Sequence, residues 1–502
     1  MATFMEVLDT SIANVSLPHI AGGLSAGRDE STWVLTSYLV SNAVVLPVSG
    51  WVATRIGRKR FYMICVALFT VSSFLCGVAP NLTTLIVCRV LQGVGGGGLG
   101  PSEQAILADT FPAAKRGMAF AVYGMAVVLA PAIGPTLGGF ITDRYSWRWI
   151  FFINVPVGIV SLMLTSRLVS DPPHIQQARE RAGPVDYVGL ALIALGLGTL
   201  EVVLDKGQEN DWFNSPLITG FSVSAAVALV AWVLWERRQA HPIVDVTMFR
   251  DRTFASANLM MLVLGAALYG STVLLPLYLQ VQMGYSAEQA GEALSPGGFV
   301  VMLLLPLVGQ LLGRVDPRLL VGFGFVVLSA SLIYISGHLY GGIDFRTAVE
   351  LRAYQSVGLA FLFIPINTLV YAGVSPHKYN AVSGIVNLAR NMGGDIGISF
   401  VTTLVARRTQ WHQSQLSAYT TGLHRPFATA LDATTRLFQR TAGADADATR
   451  RALALMYRQL QAEAATLAYL DAFKVLGIAT AAMLPLLLLT RRPPSGVPAG
   501  GH

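Results

Sequence analysis

Apolar residues recur along this chain in runs of roughly 20, the length a helix needs to cross a hydrocarbon core about 30 Å thick. The runs follow one another almost from end to end, with short polar breaks between most of them. Fourteen can be traced, near residues 3–21, 32–54, 61–79, 82–104, 117–141, 148–167, 186–205, 215–235, 254–280, 290–312, 318–338, 348–373, 384–406 and 466–490. Backbone polar groups inside lipid must bond within the chain, so each run predicts a helix. The expected fold is an all-α integral membrane protein: a six-helix bundle over 1–167, a linker over 168–253 with two extra spans, a second six-helix bundle over 254–490, and a cytoplasmic tail over 491–502. Residues 407–465 form the one long polar interruption inside the second bundle. The stretch from Ala444 to Phe473 lacks Gly and Pro, and it is expected to carry the last span outward as a continuous helix.

Laying the sequence on itself reveals a repeat. An offset of 259 brings Gly50 and Arg55 onto Gly309 and Arg314, and Ala130, Gly134 and Gly138 onto Ala389, Gly393 and Gly397. The Arg, Gln and Gly spacing of Arg89, Gln92 and Gly95 returns at Arg352, Gln355 and Gly358. Two duplicated halves with a site at their interface near the midplane are a transporter arrangement. The fifth span concentrates the helix breakers. Pro131 and Pro135 each remove a backbone donor, and Gly134 and Gly138 leave a groove for a neighbouring helix. Its repeat carries Asp395 where this span has Thr136. The fifth span therefore reads as the bent, sealing member of a hinge pair, and its counterpart as the member that handles a proton.

With 53% hydrophobic and 13% charged residues, an ordinary soluble enzyme is excluded as the leading class. The net charge of +7 does not point to nucleic acid, because the basic residues crowd alternate loops, among them Arg55, Arg58, Lys59, Arg116, Arg179, Arg181, Arg250 and Arg314. Positive loops mark the cytoplasmic side, which places both termini there. Cys65, Cys76 and Cys88 lie inside spans without metal or disulfide spacing. The run from Gly93 to Gly98 matches GxGxxG but follows no strand, and there is no GxxxxGK[ST], so neither a dinucleotide nor direct ATP drive is expected. No cofactor and no metal site is expected.

Ionisable groups within spans carry the sharpest information, since each costs ~2.5–3.5 kcal/mol at the bilayer centre unless paired or wetted. Asp9, Arg89, Arg352, Arg390 and Asp395 fall there, with Glu103 nearer one end. Ser383, Asn387, Asn391, Asp395 and Ser399 recur every four residues and lay a polar stripe along one helix face. That face is expected to line a wet cavity. Asp9 and Asp395 are expected to exchange protons, with Arg89 holding a carboxylate in place. Asn14, Tyr278, Asn387 and Asn391 are the expected substrate contacts.

Several runs resemble known signatures. LDTSIANVSLP from Leu8 to Pro18 is similar to the first-span signature of the fourteen-span drug:proton antiporters of the major facilitator superfamily, the EmrB/QacA type. GWVATRIGRKR from Gly50 to Arg60, with Gly57, Arg58 and Lys59, resembles the superfamily's loop motif, and RVLQG from Arg89 its fourth-span motif. Ala130 to Gly139 resembles its fifth-span antiporter motif, and WRWIFFINVPVG from Trp147 a stretch of the fourteen-span branch. WHQSQL from Trp411 looks like the EmrB subgroup of Gram-negative inner membranes. Two positions depart from the pattern: Thr54 stands where the loop motif has Asp, and Ala130 replaces a glycine. The resemblance implies proton-coupled multidrug efflux of hydrophobic or amphipathic compounds by alternating access, with a periplasmic adaptor and an outer-membrane channel as partners. The alternatives are a dedicated exporter of one metabolite, siderophore or lipid, and a structural or sensory membrane protein without transport.

Overall fold

The computed structural model describes residues 1–491 apart from 174, 176–184, 240–241, 373, 376–377, 422–423 and 443–446. Arg179, Arg181 and most of the expected tail lie outside the described residues. Among the described residues all regular structure is helical. The first group comprises α1 (Ala2–Gly23), α2 (Arg28–Ile56), α3 (Arg58–Gly77), α4 (Leu82–Gly96), α5 (Leu99–Thr110), α6 (Ala113–Arg144), α7 (Trp149–Phe152) and α8 (Asn154–Leu168). A pair follows, α9 (Tyr187–Lys206) and α10 (Pro216–Glu236). The second group comprises α11 (Arg252–Val281), α12 (Ala287–Leu311), α13 (Pro317–His338), α14 (Phe345–Tyr371), α15 (Tyr379–Ser417), α16 (Arg425–Ala442) and α17 (Ala448–Ala481).

Eleven of the described helical segments are long and apolar enough to cross a membrane, and twelve if the bent α6 is one span. The remaining two of the fourteen expected spans are α1 and α15, which are long enough but too polar to qualify on composition. Their polarity has a local cause: both turn charged side chains toward a cavity between the two groups.

The fifth span bends by 45° between Lys115–Pro131 and Ile133–Arg144. Pro135 has no N–H for the Pro131 carbonyl, and Ser11 Oγ of α1 donates to that oxygen at 3.5 Å. Gly134 and Gly138 let α1 come close, since a Cβ on Gly134 would lie 2.3 Å from Ser11 Oγ and one on Gly138 3.1 Å from Ile12 Cγ2. The second copy repeats the device. A Cβ on Gly393 would lie 2.0 Å from the Leu262 carbonyl oxygen, and one on Gly397 2.5 Å from Ala266 Cα, both on α11. In each group the first helix thus fills the glycine groove of the repeat, and packing at this range supplies the dispersion contact that drives helix association in lipid.

The polar interruption is more helical than the sequence predicts. α15 runs on to Ser417, α17 begins at Ala448, and α16 packs along α17. Asp471 holds the two long helices together, accepting from Arg408 Nε at 3.1 Å and from His412 Nε2 at 2.9 Å. Gln413 Nε2 donates to the Tyr457 hydroxyl at 3.0 Å farther out. The inserted pair packs on itself, and α9 also lies against α2 and touches α15. Asp186 caps α9 through the Gly189 N–H at 2.9 Å and also accepts from Trp235 Nε1 of α10 at 3.0 Å.

Candidate functional site

A cavity of about 230 Å³ lies between α1 and α2 on one side and α11 and α15 on the other. Its walls are mostly apolar, with Glu6, Asn14, Arg390, Asn391 and Asp395 as polar points. Such a mixture of a hydrophobic wall and a few placed polar groups is the usual make-up of a small-molecule site. Tyr38 and Tyr269 add aromatic faces.

Next to the wall sits a buried ion network whose Arg89 also lines the cavity. Arg89 Nη1 donates to Asp9 Oδ2 at 2.6 Å and to Gln92 Oε1 at 2.8 Å, and its Nε donates to the Val34 carbonyl at 3.0 Å. Asp9 Oδ1 accepts from Asn154 Nδ2 at 2.7 Å and from Gln92 Nε2 at 3.0 Å. The guanidinium lies 4.3 Å from the Tyr38 ring centre, a cation–π contact on its open face. The side chains of Arg89 and Asp9 are 0% and 1% exposed. Two charges taken this far from water persist because both oxygens of the acid find donors, three in all. In the second copy Arg352 Nη1 donates to Gln355 Oε1 at 2.8 Å and Nη2 to Thr272 Oγ1 at 3.1 Å, while Gln355 Nε2 donates to Ser271 Oγ. The repeat keeps the Arg–Gln pair and puts hydroxyls where the first copy has a carboxylate.

Asn14, Asn391 and Asp395 line the cavity as the polar pattern implies. Three other expected residues lie elsewhere. Asp9 faces Arg89 rather than the cavity, and the acid that α1 presents there is Glu6, whose Oε1 accepts from Asn42 Nδ2 at 3.0 Å. Glu6 is attracted across the cavity by Arg390. Glu6 sits at the very start of the first apolar run, where an acid resembles a solvated helix end, and its place one turn before Asp9 is the signal the sequence offers for it. Tyr278 is buried against Tyr469, ring centres 5.3 Å apart. Tyr269 of the same helix faces the cavity, and nine residues turn a helix by about half a circle beyond two full turns, which carries Tyr278 to the opposite side. Asn387 is buried one turn below Asn391, where its Nδ2 donates to Gln104 Oε1 at 2.9 Å and ties α15 to α5. Glu103 accepts from the amides of Ala2 at 3.1 Å and Thr3 at 3.4 Å and from the Tyr62 hydroxyl at 2.6 Å, which anchors the start of α1.

The two groups are latched at the end of α2. Arg58 Nε donates to Asn380 Oδ1 at 2.7 Å and its Nη1 to Asp109 Oδ2 at 2.5 Å. Asn380 Nδ2 donates to Thr54 Oγ1 at 3.4 Å, so an amide and a hydroxyl meet where the loop motif has a carboxylate. Gly57 makes the turn into α3 with φ +94°, and the Lys59 N–H donates to Asp171 Oδ1 at 2.8 Å. Arg55 lies over the Trp51 ring at 4.2 Å. Gly50 is the closest approach: a Cβ there would lie 2.4 Å from the Asn380 carbonyl oxygen and 2.9 Å from the Ala381 nitrogen. Backbone cannot swing aside as a flexible side chain can, so Gly50→Val is expected to push α2 and α15 apart at this end. Maleimide labelling of Ser383→Cys, a buried position beside the latch, is expected to accelerate at least about tenfold in the Gly50→Val background, which corresponds to a shift of ~1.4 kcal/mol in the opening equilibrium. Unchanged labelling would show that the latch does not depend on this contact.

The family description of the Major Facilitator Superfamily matches residues 1–398. The chain is 38% identical over 417 residues to the multidrug export protein EmrB of Escherichia coli strain K12, covering 83% of this chain and 81% of that protein. It is 40% identical over 422 residues to the fatty acid resistance protein FarB of Neisseria gonorrhoeae, covering 84% and 82%. Among solved structures, the proton:xylose symporter XylE superimposes with a TM-score of 0.59 at 13% identity over 97% of this chain and 94% of that one. The human organic anion transporter MFSD10 does so with 0.55 at 13% identity over 95% and 98%.

Proposed function

This chain belongs to the major facilitator superfamily, and from that premise we propose that it is a proton-driven exporter of hydrophobic and amphipathic compounds in a bacterial inner membrane. The observation that carries the reading is the cavity, whose apolar and aromatic walls accept a greasy molecule while Asp395 and Glu6 offer carboxyls at its surface. Protons and substrate compete there. A protonated cavity releases the compound, and a loaded cavity gives up its proton, so inward proton flow drives outward transport by alternating access. Asp395 and Glu6 are the proton carriers in this scheme, and Asp9 stays anchored to Arg89, tying the position of α1 to that of α4. Asn14, Asn391, Tyr38 and Tyr269 contact the compound. The bent α6 with its Pro131, Pro135 and glycine groove supplies the hinge, and the latch around Gly50 and Arg58 closes the cytoplasmic end. Both termini are cytoplasmic.

The names of the relatives support multidrug export. The helical projection of α15, α16 and α17 beyond the spans is the natural seat for a periplasmic adaptor leading to an outer-membrane channel. The test is transport by purified protein in proteoliposomes under an imposed proton gradient, with ethidium, tetraphenylphosphonium and a long-chain fatty acid. Uphill movement of more than one of these, with matching proton counterflow, is expected. Movement of one compound alone would favour a dedicated exporter, and gradient-independent behaviour with all of them would overturn proton coupling.

A further inference from the structure

The inserted pair carries an acid that the cavity does not explain. Glu201 lies on α9, 1% exposed, and its Oε2 has no hydrogen-bond partner. α9 packs against α2, α10 and α15. At this level α2 presents Val40, 3.5 Å from where a Gly198 Cβ would be, and α10 presents Leu229 against Gly196. The charges that act on Glu201 are Asp395 of α15 and Asp205 on its own helix, both repelling it. A carboxyl buried among apolar side chains with an unpartnered oxygen is costly to keep inside a membrane segment, and an acid so placed points to a functional role by default.

Asp205 is one turn farther along the same face of α9. Its Oδ2 accepts from Thr36 Oγ1 of α2, and its side chain is 30% exposed. Lys206 and Glu209 act on it from the helix end, where Lys206 Nζ donates to Glu209 Oε2 at 2.9 Å and to Thr32 Oγ1. Trp212 Nε1, just past that end, donates to Thr403 Oγ1 of α15 at 3.2 Å and pins the insertion to the helix that carries Asp395. The order Asp205, Glu201, Asp395 thus runs from a partly wet helix end, through a buried carboxyl, to the cavity wall.

We propose that Glu201 passes protons between Asp205 and Asp395, so that the inserted helix pair is part of the coupling machinery. In the inward direction the Glu201 carboxyl gives its proton to the Asp395 carboxylate, and Asp205 in its protonated form restores the Glu201 carboxyl. Asp205 then takes a proton from outside water, and Asp395 releases its proton to cytoplasmic water when the cavity faces inward, so each acid gains and loses one proton and one positive charge has moved inward. The inference rests on the proton-coupled reading above.

The test uses the full-length protein in proteoliposomes with a lumenal pH dye and ethidium as the probe, comparing wild type, Glu201→Gln and Asp395→Asn. Two rates are read: ethidium exchange without a gradient, which needs only binding and rocking, and gradient-driven accumulation. Glu201→Gln is expected to keep exchange within about twofold and to lose accumulation, from an order of 10²- to 10³-fold to near unity, with Glu201→Asp restoring at least a tenth of it. Wild-type accumulation in Glu201→Gln alongside its loss in Asp395→Asn would overturn this inference alone. Exchange by the wild type without any gradient-driven accumulation would overturn the proton-coupled reading and this inference with it. Should Glu201→Gln also lose exchange, Glu201→Leu decides, because leucine suits the apolar surroundings and carries no proton. Exchange and accumulation restored together would mark Glu201 as structural and overturn the inference, and exchange restored with accumulation still near unity would support it.

Discussion

Arg89→Leu is expected to destabilise the protein by ~3–5 kcal/mol, the cost of leaving a buried charge without its partner. The substitution removes the 2.6 Å bond to Asp9 and strands that carboxylate at 1% exposure with only the Gln92 and Asn154 amides facing it. Thermal unfolding in detergent, with fluorescence-detected size exclusion as the readout, measures the loss. Replacing both charges tests the cause: Asp9→Leu/Arg89→Leu is expected to recover most of the stability, because well-packed apolar residues need no desolvation. Arg89→Lys is expected to fall between, since one ammonium cannot serve Asp9, Gln92 and the Val34 carbonyl in the directions a guanidinium does. A single Arg89→Leu variant as stable as wild type would mean that Asp9 is not held as an ion. The same logic predicts a smaller effect at Arg352, whose neighbours Gln355 and Thr272 are neutral.

Asp395→Asn is expected to leave ethidium exchange in place and abolish accumulation against a gradient. The scale follows from the drive: one proton crossing ~100 mV yields ~2.3 kcal/mol and each pH unit adds ~1.4, which supports a ratio on the order of 10² to 10³. Asp395 and Glu6 carry the proton together in this scheme, so with Glu6 alone left in the cavity wall that ratio is expected to collapse to about one. Asparagine keeps the volume and a hydrogen-bonding tip, so Asn391, one turn earlier on the same wall, retains a similar neighbour. An Asp395→Asn protein still driving uphill, pH-dependent transport with wild-type proton stoichiometry would remove Asp395 from the scheme and leave Glu6 as the cavity's acid.

The membrane class, the helical architecture and the duplication are legible in the sequence because each depends on local periodicity. A run of apolar residues must be a helix in lipid wherever its neighbours are. The Gly134/Gly138 and Gly393/Gly397 grooves could likewise be read as close-packing sites, and both receive the first helix of their own group. The Arg89–Gln92 spacing places both side chains on one helix face, one turn apart. What the spacing cannot say is which other helix supplies the acid.

Tertiary structure decided the facing. The four-residue polar stripe on α15 carries Asn391 and Asp395 into the cavity and buries Asn387 against Gln104, because the stripe continues past the point where the two groups close. Tyr278 and Tyr269 belong to one apolar run with no polar period to separate them, and only the packing of α11 sends one to Tyr469 and the other to the cavity. Asp9 turns to Arg89 and Glu6 takes the place at the cavity expected of Asp9 for the same reason. A helix fixes the angle between two side chains, and its rotation against its neighbours fixes what each one meets. Glu201 shows the limit most plainly, since its nearness to Asp395 joins helices 194 positions apart in a sequence that carries no pattern linking them.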